Sequence, residues 1–328
     1  MELFKQICPV SASFLYEEFT RSPNVHSAVI HRFEGVDGCD VYNPTVPFTL
    51  DGVTYIAGRV EQRDSERSRV MFFRRVGGVW ELCRDAMTLE LQDPFVTWIK
   101  DELILGGVRV DWDEETGLAK AWYTDFYRGT SLQNLRYFAS GPHHMKDVRL
   151  AELSDGRIGV FSRPQGPKVK AAYGCIAKVG FTIVEDLEHL TAQAIENAPF
   201  LEGLFLPEEW GGCNQVSLLS DGCLGVVGHI AWGEGPDENS KTLHYYGMAF
   251  VLNPITRELS QPRLIATRDC FPEGSAKHPR LRDVTFTSGI LRNGDGTATV
   301  FTGLSDAQVG SAVIEDPFTQ WETRLERV

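Results

Sequence analysis

Asn43, Asp93, Asp147, Asn214 and Asp283 are the residues of this sequence whose types and spacing fit shared chemistry. Asn43, Asp93 and Asp147 each stand eight residues before a turn aspartate: Asp51, Asp101 and Asp155. Asn214 stands seven before Asp221, and Asp283 opens a related segment with a longer turn. Three carboxylates and two amides gathered at one place would form a polar cup. Buried polar groups need partners, and a polyhydroxyl ligand supplies many. Like charges crowded there raise at least one carboxyl pKa and create a general acid. Taken singly, each residue is equally suited to capping a strand through an Asx-turn.

Cations accompany the acids. Arg59 and Arg163 lie sixteen residues after Asn43 and Asp147, and His229 is the near equivalent after Asn214. With Lys146 and Arg149 they suit a phosphate, since arginine forks two of its oxygens. Ion pairing with nearby acids is the plainer use. The run WYTDFY (122–127) is able to stack on a sugar or to serve as strand core, and His143-His144 reads as a loop pair. No GxSxG, Walker A or HExxH occurs. Neither a metal site nor a cofactor is expected.

Elements must carry these residues. Segments 43–59, 93–109, 147–163, 213–229 and 283–303 each read as strand, turn, strand. Asp51-Gly52, Asp155-Gly156 and Asp221-Gly222 are strong hairpin signals. One or two further strand-like runs follow each hairpin, among them 171–180 after the third. Five such units predict an all-β fold, a five-bladed β-propeller forming one domain over residues 1–328. Its blades start near 43, 93, 147, 213 and 283. Residues 26–33 would complete the last blade and remove its edge. One short helical insertion is expected over Val184–Asn197. A β-sandwich with chance hairpins is the competing architecture. In a propeller the first strands line a central channel, so the candidates would meet at one mouth.

The formal net charge of −13 argues against nucleic acid and anionic membrane as partners. Seven cysteines without a CxxC read as free thiols in a reducing compartment. The opening MELFKQICPV lacks the apolar core of a leader, and no run approaches the roughly 20 apolar residues of a membrane span. A cytoplasmic protein is expected.

The motifs resemble a known group. Asn43-Pro44 with Arg59, Gln92-Asp93-Pro94, Tyr123-Thr124 and Lys146-Asp147 leading to Arg163-Pro164 are similar to the blade motifs of glycoside hydrolase family 130. Those are five-bladed propellers that mostly phosphorolyse β-mannosides with inversion. Trp210-Gly211-Gly212-Cys213-Asn214, KDVRL and SRPQG more closely resemble glycosyltransferase family 108, the β-1,2-mannosyltransferase/phosphorylases of trypanosomatid parasites. The resemblance implies that Asp93 touches the sugar at the cleaved position and leads as general acid/base. It implies that Asn43 and Arg59 bind sugar hydroxyls; Tyr123, Asn214 and Asp283 are further substrate-binding candidates. Lys146, Arg149, Arg163 and His229 would bind phosphate. Two departures matter. The family 130 acid position is here Tyr127, with Asp125 the nearest carboxylate, and the family's phosphate-contacting His is Ser162. Asp125 and Asp147 are therefore reserve candidates for the acid. The implied activity is inverting β-mannosyl transfer or phosphorolysis on a mannose-containing oligosaccharide. Phosphate is the co-substrate in one direction; mannose 1-phosphate or a nucleotide-mannose is the donor in the other. The alternatives are hydrolysis and a non-catalytic glycan- or protein-binding propeller.

Overall fold

The computed structural model describes residues 7–174, 176–236 and 240–322. The first six residues, read above for a leader, and Cys175 lie outside these ranges. The described chain is mostly strand and forms five antiparallel meanders. The first hairpin, Phe48–Leu50 and Val53–Glu61, continues into Arg69–Val76 and Val79–Leu82, with Asp40–Tyr42 alongside. The second contains Gln92–Ile99, Glu102–Trp112, Ala119–Gly129 and Arg136–Ser140, and the third Arg149–Glu152, Ile158–Ser162 and Gly180–Val184. The fourth contains Trp210–Leu218, Leu224–Glu234, Thr242–Leu252 and Arg263–Ala266. The fifth contains Asp283–Arg292, Thr297–Leu304 and Gln308–Glu315. Its last strand comes from the other end of the chain: Val25–Ile30 pairs with Gln308–Glu315.

The turns account for the repeat. Asp51 and Gly52 have φ of 49° and 76°, and Lys100 and Asp101 have 49° and 64°. Both central residues are left-handed, which matches the twist of the flanking strands. Asp and Gly tolerate that conformation with little penalty.

Five apolar clusters hold the meanders together. Leu89, Leu91 and Leu103 join the first to the second, and Phe95, Ile104 and Val160 the second to the third. Phe161, Phe181 and Val226 join the third to the fourth, and Val227, Ile265 and Val300 the fourth to the fifth. Val41, Ile56 and Phe301 then join the fifth back to the first. Each fully buried large apolar side chain contributes about 1.5–3 kcal/mol.

Two sequence expectations change. Val184–Asn197 is not one helix. Asp186 accepts from the Glu188 and His189 amides, and Thr191 from the Ala194 amide, so the segment caps itself twice. Only a turn at Leu187–His189 and a helix at Ala192–Glu196 result. The run 171–180 starts as the end of a helix, Pro167–Tyr173, rather than as a strand. A further helix, Ala12–Arg21, was not expected; Ser11 caps it, and Tyr16 stacks on Tyr246 with centroids 5.0 Å apart. Among the described residues no helix is long and apolar enough to cross a membrane. The six described cysteines are free thiols.

Candidate functional site

The first strands bring most of the candidates together. Asn43, Asp93 and Asp147 share a left-handed backbone, with φ of 42°, 47° and 59°. Asn and Asp adopt this region several-fold more readily than other side chains, so the local fold selects the residue types. Asn214 differs. It sits at a bulge between Cys213 and Gln215, which explains its one-residue offset.

Asp93 is buried and accepts two hydrogen bonds on one oxygen, Oδ1. Asn43 Nδ2 donates at 2.8 Å and Arg59 Nη1 at 3.3 Å. Oδ2 has no protein partner among the described residues. Arg59 is also buried; it donates to Glu61 at 2.9 Å and to Glu66 at 2.8 Å, and it lies over the Tyr42 ring at 4.9 Å.

Asp147 anchors a second, cationic group. Its carboxylate lies 3.3 Å from Arg163 and 3.9 Å from Arg149, and all three side chains are buried. Burial alone would raise its pKa, but Arg163, Lys146 and Arg149 outweigh it and hold the value down at about 2. Asp147 is therefore a permanent counter-charge. Arg149 Nε donates to the Asn214 carbonyl at 2.8 Å, and its guanidinium lies 4.4 Å from the Phe95 ring centroid. Arg163 donates to the Gly211 carbonyl and to Gln165. Lys146 has no side-chain partner among the described residues.

His229 completes this group. Its Nδ1 lies 2.8 Å from Asn214 Oδ1. Burial, with Arg163 adding to it, lowers its pKa to about 3. The imidazole is thus neutral at pH 7, and with the amide oxygen as acceptor its proton sits on Nδ1. Nε2 then carries a lone pair. Buried Nε2, Asn214 Nδ2, Asn43 Oδ1, Ser162 Oγ and both Asp147 oxygens have no hydrogen-bond partner among the described residues. Such groups are costly unless a polar ligand or water meets them.

Three candidates lie elsewhere. Asp125 accepts from Arg109 at 3.0 Å and from Ser140 at 2.5 Å. Tyr123 donates to Asp111 at 3.2 Å and stacks on His143. Strand alternation puts both on the face opposite Trp122, away from the cavity that Trp122 lines. Asp283, which its place in the repeat assigns to the cup, is held elsewhere. Its carboxylate meets His244 Nδ1 at 2.6 Å and Tyr246 at 3.1 Å. The fifth hairpin's true counterpart of Asn214 is Ser288, which lies at that strand's bulge seven residues before Asp295. The fifth repeat therefore starts later than read.

A family model described as a protein of unknown function, DUF1861, matches residues 17–320. The chain belongs to this DUF1861 family. No match was found among curated proteins. A mannose phosphorylase from Leishmania mexicana, MPT-4, solved with a phosphate ion, is 36% identical with a TM-score of 0.87, over 94% of each chain. MPT-1, a GDP-Man-dependent mannosyltransferase from the same organism, is also 36% identical, with a TM-score of 0.86 over 95% of this chain and 96% of that one. Both are enzymes, as is this DUF1861 protein. A β-1,2-mannobiose phosphorylase from Listeria innocua shares the fold at 13% identity, with a TM-score of 0.59 over 88% of this chain and 94% of that one.

The DUF1861 chain holds further site residues that sequence reasoning missed. Arg109 lies sixteen residues after Asp93 but is not one of them: Tyr42 pairs with Arg59 whereas Gln92 pairs with Val108, so Arg109 falls on the other face and bonds Asp125. Glu61, buried, ties Arg59, Tyr42, Ser68 and Lys277 together. Asp306, in the turn after the fifth hairpin, faces Arg59, Asp93, Lys277 and Glu66. Burial raises its pKa, Asp93 and Glu66 add to this, and Arg59 and Lys277 oppose it, leaving about 6. Gly303 holds the position of His229, each pairing two residues before its bulge. A Cβ there would lie 1.9 Å from Asn43 Oδ1 and 2.7 Å from the Asn43 amide nitrogen. Gly303→Ala should therefore cost about 1–3 kcal/mol and push Asn43 off Asp93; the denaturant midpoint and the loss of activity check this together.

Proposed function

We propose that the protein is an inverting β-mannosyl phosphorylase or transferase, built as one five-bladed propeller domain with the cup at one mouth of its channel. The observation that carries this reading is the adjacency of two unlike groups. One is Asp93, whose Oδ2 is open. The other is the buried set Arg149, Arg163 and His229 around Asp147, with the half-buried Lys146 at its edge. The first suits a sugar hydroxyl and a glycosidic oxygen, the second a phosphate. The 36% identity to a mannose phosphorylase and to a mannosyltransferase supports mannose as the sugar.

In phosphorolysis a phosphate oxygen, oriented by Arg149, Arg163 and Lys146, attacks the anomeric carbon from the face opposite the glycosidic bond. That bond breaks, and its electron pair goes to the leaving oxygen. Asp93 meets the sugar and passes a proton to that oxygen, with Asp306 beside it as the group that retains a proton to about pH 6. The products are α-mannose 1-phosphate and an oligosaccharide shorter by one unit. The cations stabilise the developing charge. Phosphate is the co-substrate, and no metal or organic cofactor is required.

Incubation with β-1,2-mannooligosaccharides and phosphate should release mannose 1-phosphate, read by anion-exchange chromatography. The equal similarity to a GDP-Man-dependent enzyme favours one second reading, transfer from a nucleotide donor. GDP-mannose with a mannose acceptor distinguishes the two. Phosphate-independent release of free mannose would instead mean hydrolysis. No turnover in any of these assays would overturn the reading.

A further inference from the structure

A groove runs beside the cup. A cavity of about 450 Å³ and one of about 250 Å³ share Glu66, Gln92, Val108, Val110 and Trp112 in their walls. The larger extends to Arg67 and Cys39, the smaller to Trp122, Lys146 and Gln165. Four of its wall residues adjoin the cup. Gln92 precedes Asp93 and Lys146 precedes Asp147 in the chain. Glu66 is bonded to Arg59, and Gln165 accepts from Arg163 at 2.6 Å.

The wall is built by strand alternation. Val108, Val110 and Trp112 fall on one face of Glu102–Trp112, while Arg109 and Asp111 fall on the other. On the neighbouring strand Trp122 pairs with Val110 and Ala119 with Trp112. The result is a partly exposed aromatic and aliphatic stripe edged by amides and charges. Arg67 lies 5.2 Å from the centroid of the Trp112 ring, which steadies the indole. The buried indole N–H of Trp122 has no acceptor among the described residues. Flat apolar rings bordered by hydrogen-bonding groups suit the mixed faces of a pyranose.

We propose that this groove is the oligosaccharide arm of the site: it holds the sugar units beyond the bond that reacts, stacked along Val110, Trp112 and Trp122. Trp112 is the platform, and the Trp122 N–H donates to a hydroxyl or ring oxygen. The arm makes the enzyme favour chains longer than a disaccharide. This inference rests on the mannosyl-transfer reading for the identity of the sugar.

The test compares kcat/KM for β-1,2-mannobiose, -triose and -tetraose with phosphate. Wild type should favour the longer chains. Trp112→Ala should lower the triose and tetraose values about tenfold relative to the biose value, and Trp112→Phe, which keeps an aromatic plane, should lose much less. Equal loss on all three substrates, or no loss, overturns the inference while leaving the mannosyl-transfer reading intact. If no mannoside is turned over, that reading fails on its own, and calorimetry with β-1,2-mannotetraose decides the groove. Binding weakened in Trp112→Ala supports the arm; binding unchanged overturns it.

Discussion

Asp147→Ala should remove roughly 3–5 kcal/mol of stability, the usual cost of breaking a buried ion pair by deleting one partner. Arg149 and Arg163 would remain buried, 3.9 and 3.3 Å from a charge no longer there, with Lys146 beside them. Neither guanidinium has another carboxylate in ion-pair range among the described residues. Asp147→Asn, which keeps the shape without the charge, should lose most of the same amount. Chemical unfolding at pH 7 measures both. The pH dependence identifies the cause. The folded-state pKa of Asp147 is lowered from its ordinary 3.8 to about 2. Its contribution is therefore complete above pH 4 and vanishes as pH falls through about 2. Wild type and Asp147→Ala should converge in stability at that acid end. Inorganic phosphate or sulfate should raise the midpoint of the variant, because an anion that binds only the folded state stabilises by mass action. A variant as stable as wild type at pH 7 would show that the cations need no counter-charge.

What the sequence revealed and what it hid both have physical reasons. Asn43, Asp93 and Asp147 were legible because hairpin turns set a count, and the count led to three residues with one backbone conformation. Arg59 and Arg163 followed from the same count. Asp283 was misplaced because the long turn Asn293-Gly294-Asp295-Gly296 hid the register; counted back from Asp295, the bulge residue is Ser288. The final strand at Val25–Ile30 was legible from its apolar run and from the need to cover an edge. Asp306, Lys277 and Glu61 were not. Lys277 meets Glu61 across 216 residues of sequence, a contact made only when the fifth meander closes on the first. No local pattern encodes such a meeting. The carboxyl group with a raised pKa is Asp306, a turn residue outside the repeat, and burial raises it first, with Asp93 and Glu66 adding to that.

Asp93→Asn should lower kcat by about 10²–10⁴ while leaving the fold intact. The amide oxygen is still able to accept from Asn43 and Arg59, so the geometry survives and the proton chemistry does not. Asp306→Asn should also lower kcat, and it carries a second signature. Asp306 titrates at about 6, raised from 3.8, among Arg59, Asp93, Lys277 and Glu66. The raised value means that the folded protein holds this proton more tightly than the unfolded chain does. Ionising Asp306 therefore costs stability, a cost that grows from about pH 4 and is complete above pH 6. Asp306→Asn should thus be more stable than wild type at pH 8 and nearly equal to it at pH 4. In wild type, kcat/KM for mannoside cleavage should fall tenfold per pH unit above about 6, and the residual activity of Asp306→Asn should lack that limb. If Asp93 and Asp306 act on one proton, the double variant should be little worse than the poorer single one, because groups that work as a unit are not additive. Losses that multiply would separate their roles and leave Asp93 to act alone on the glycosidic oxygen.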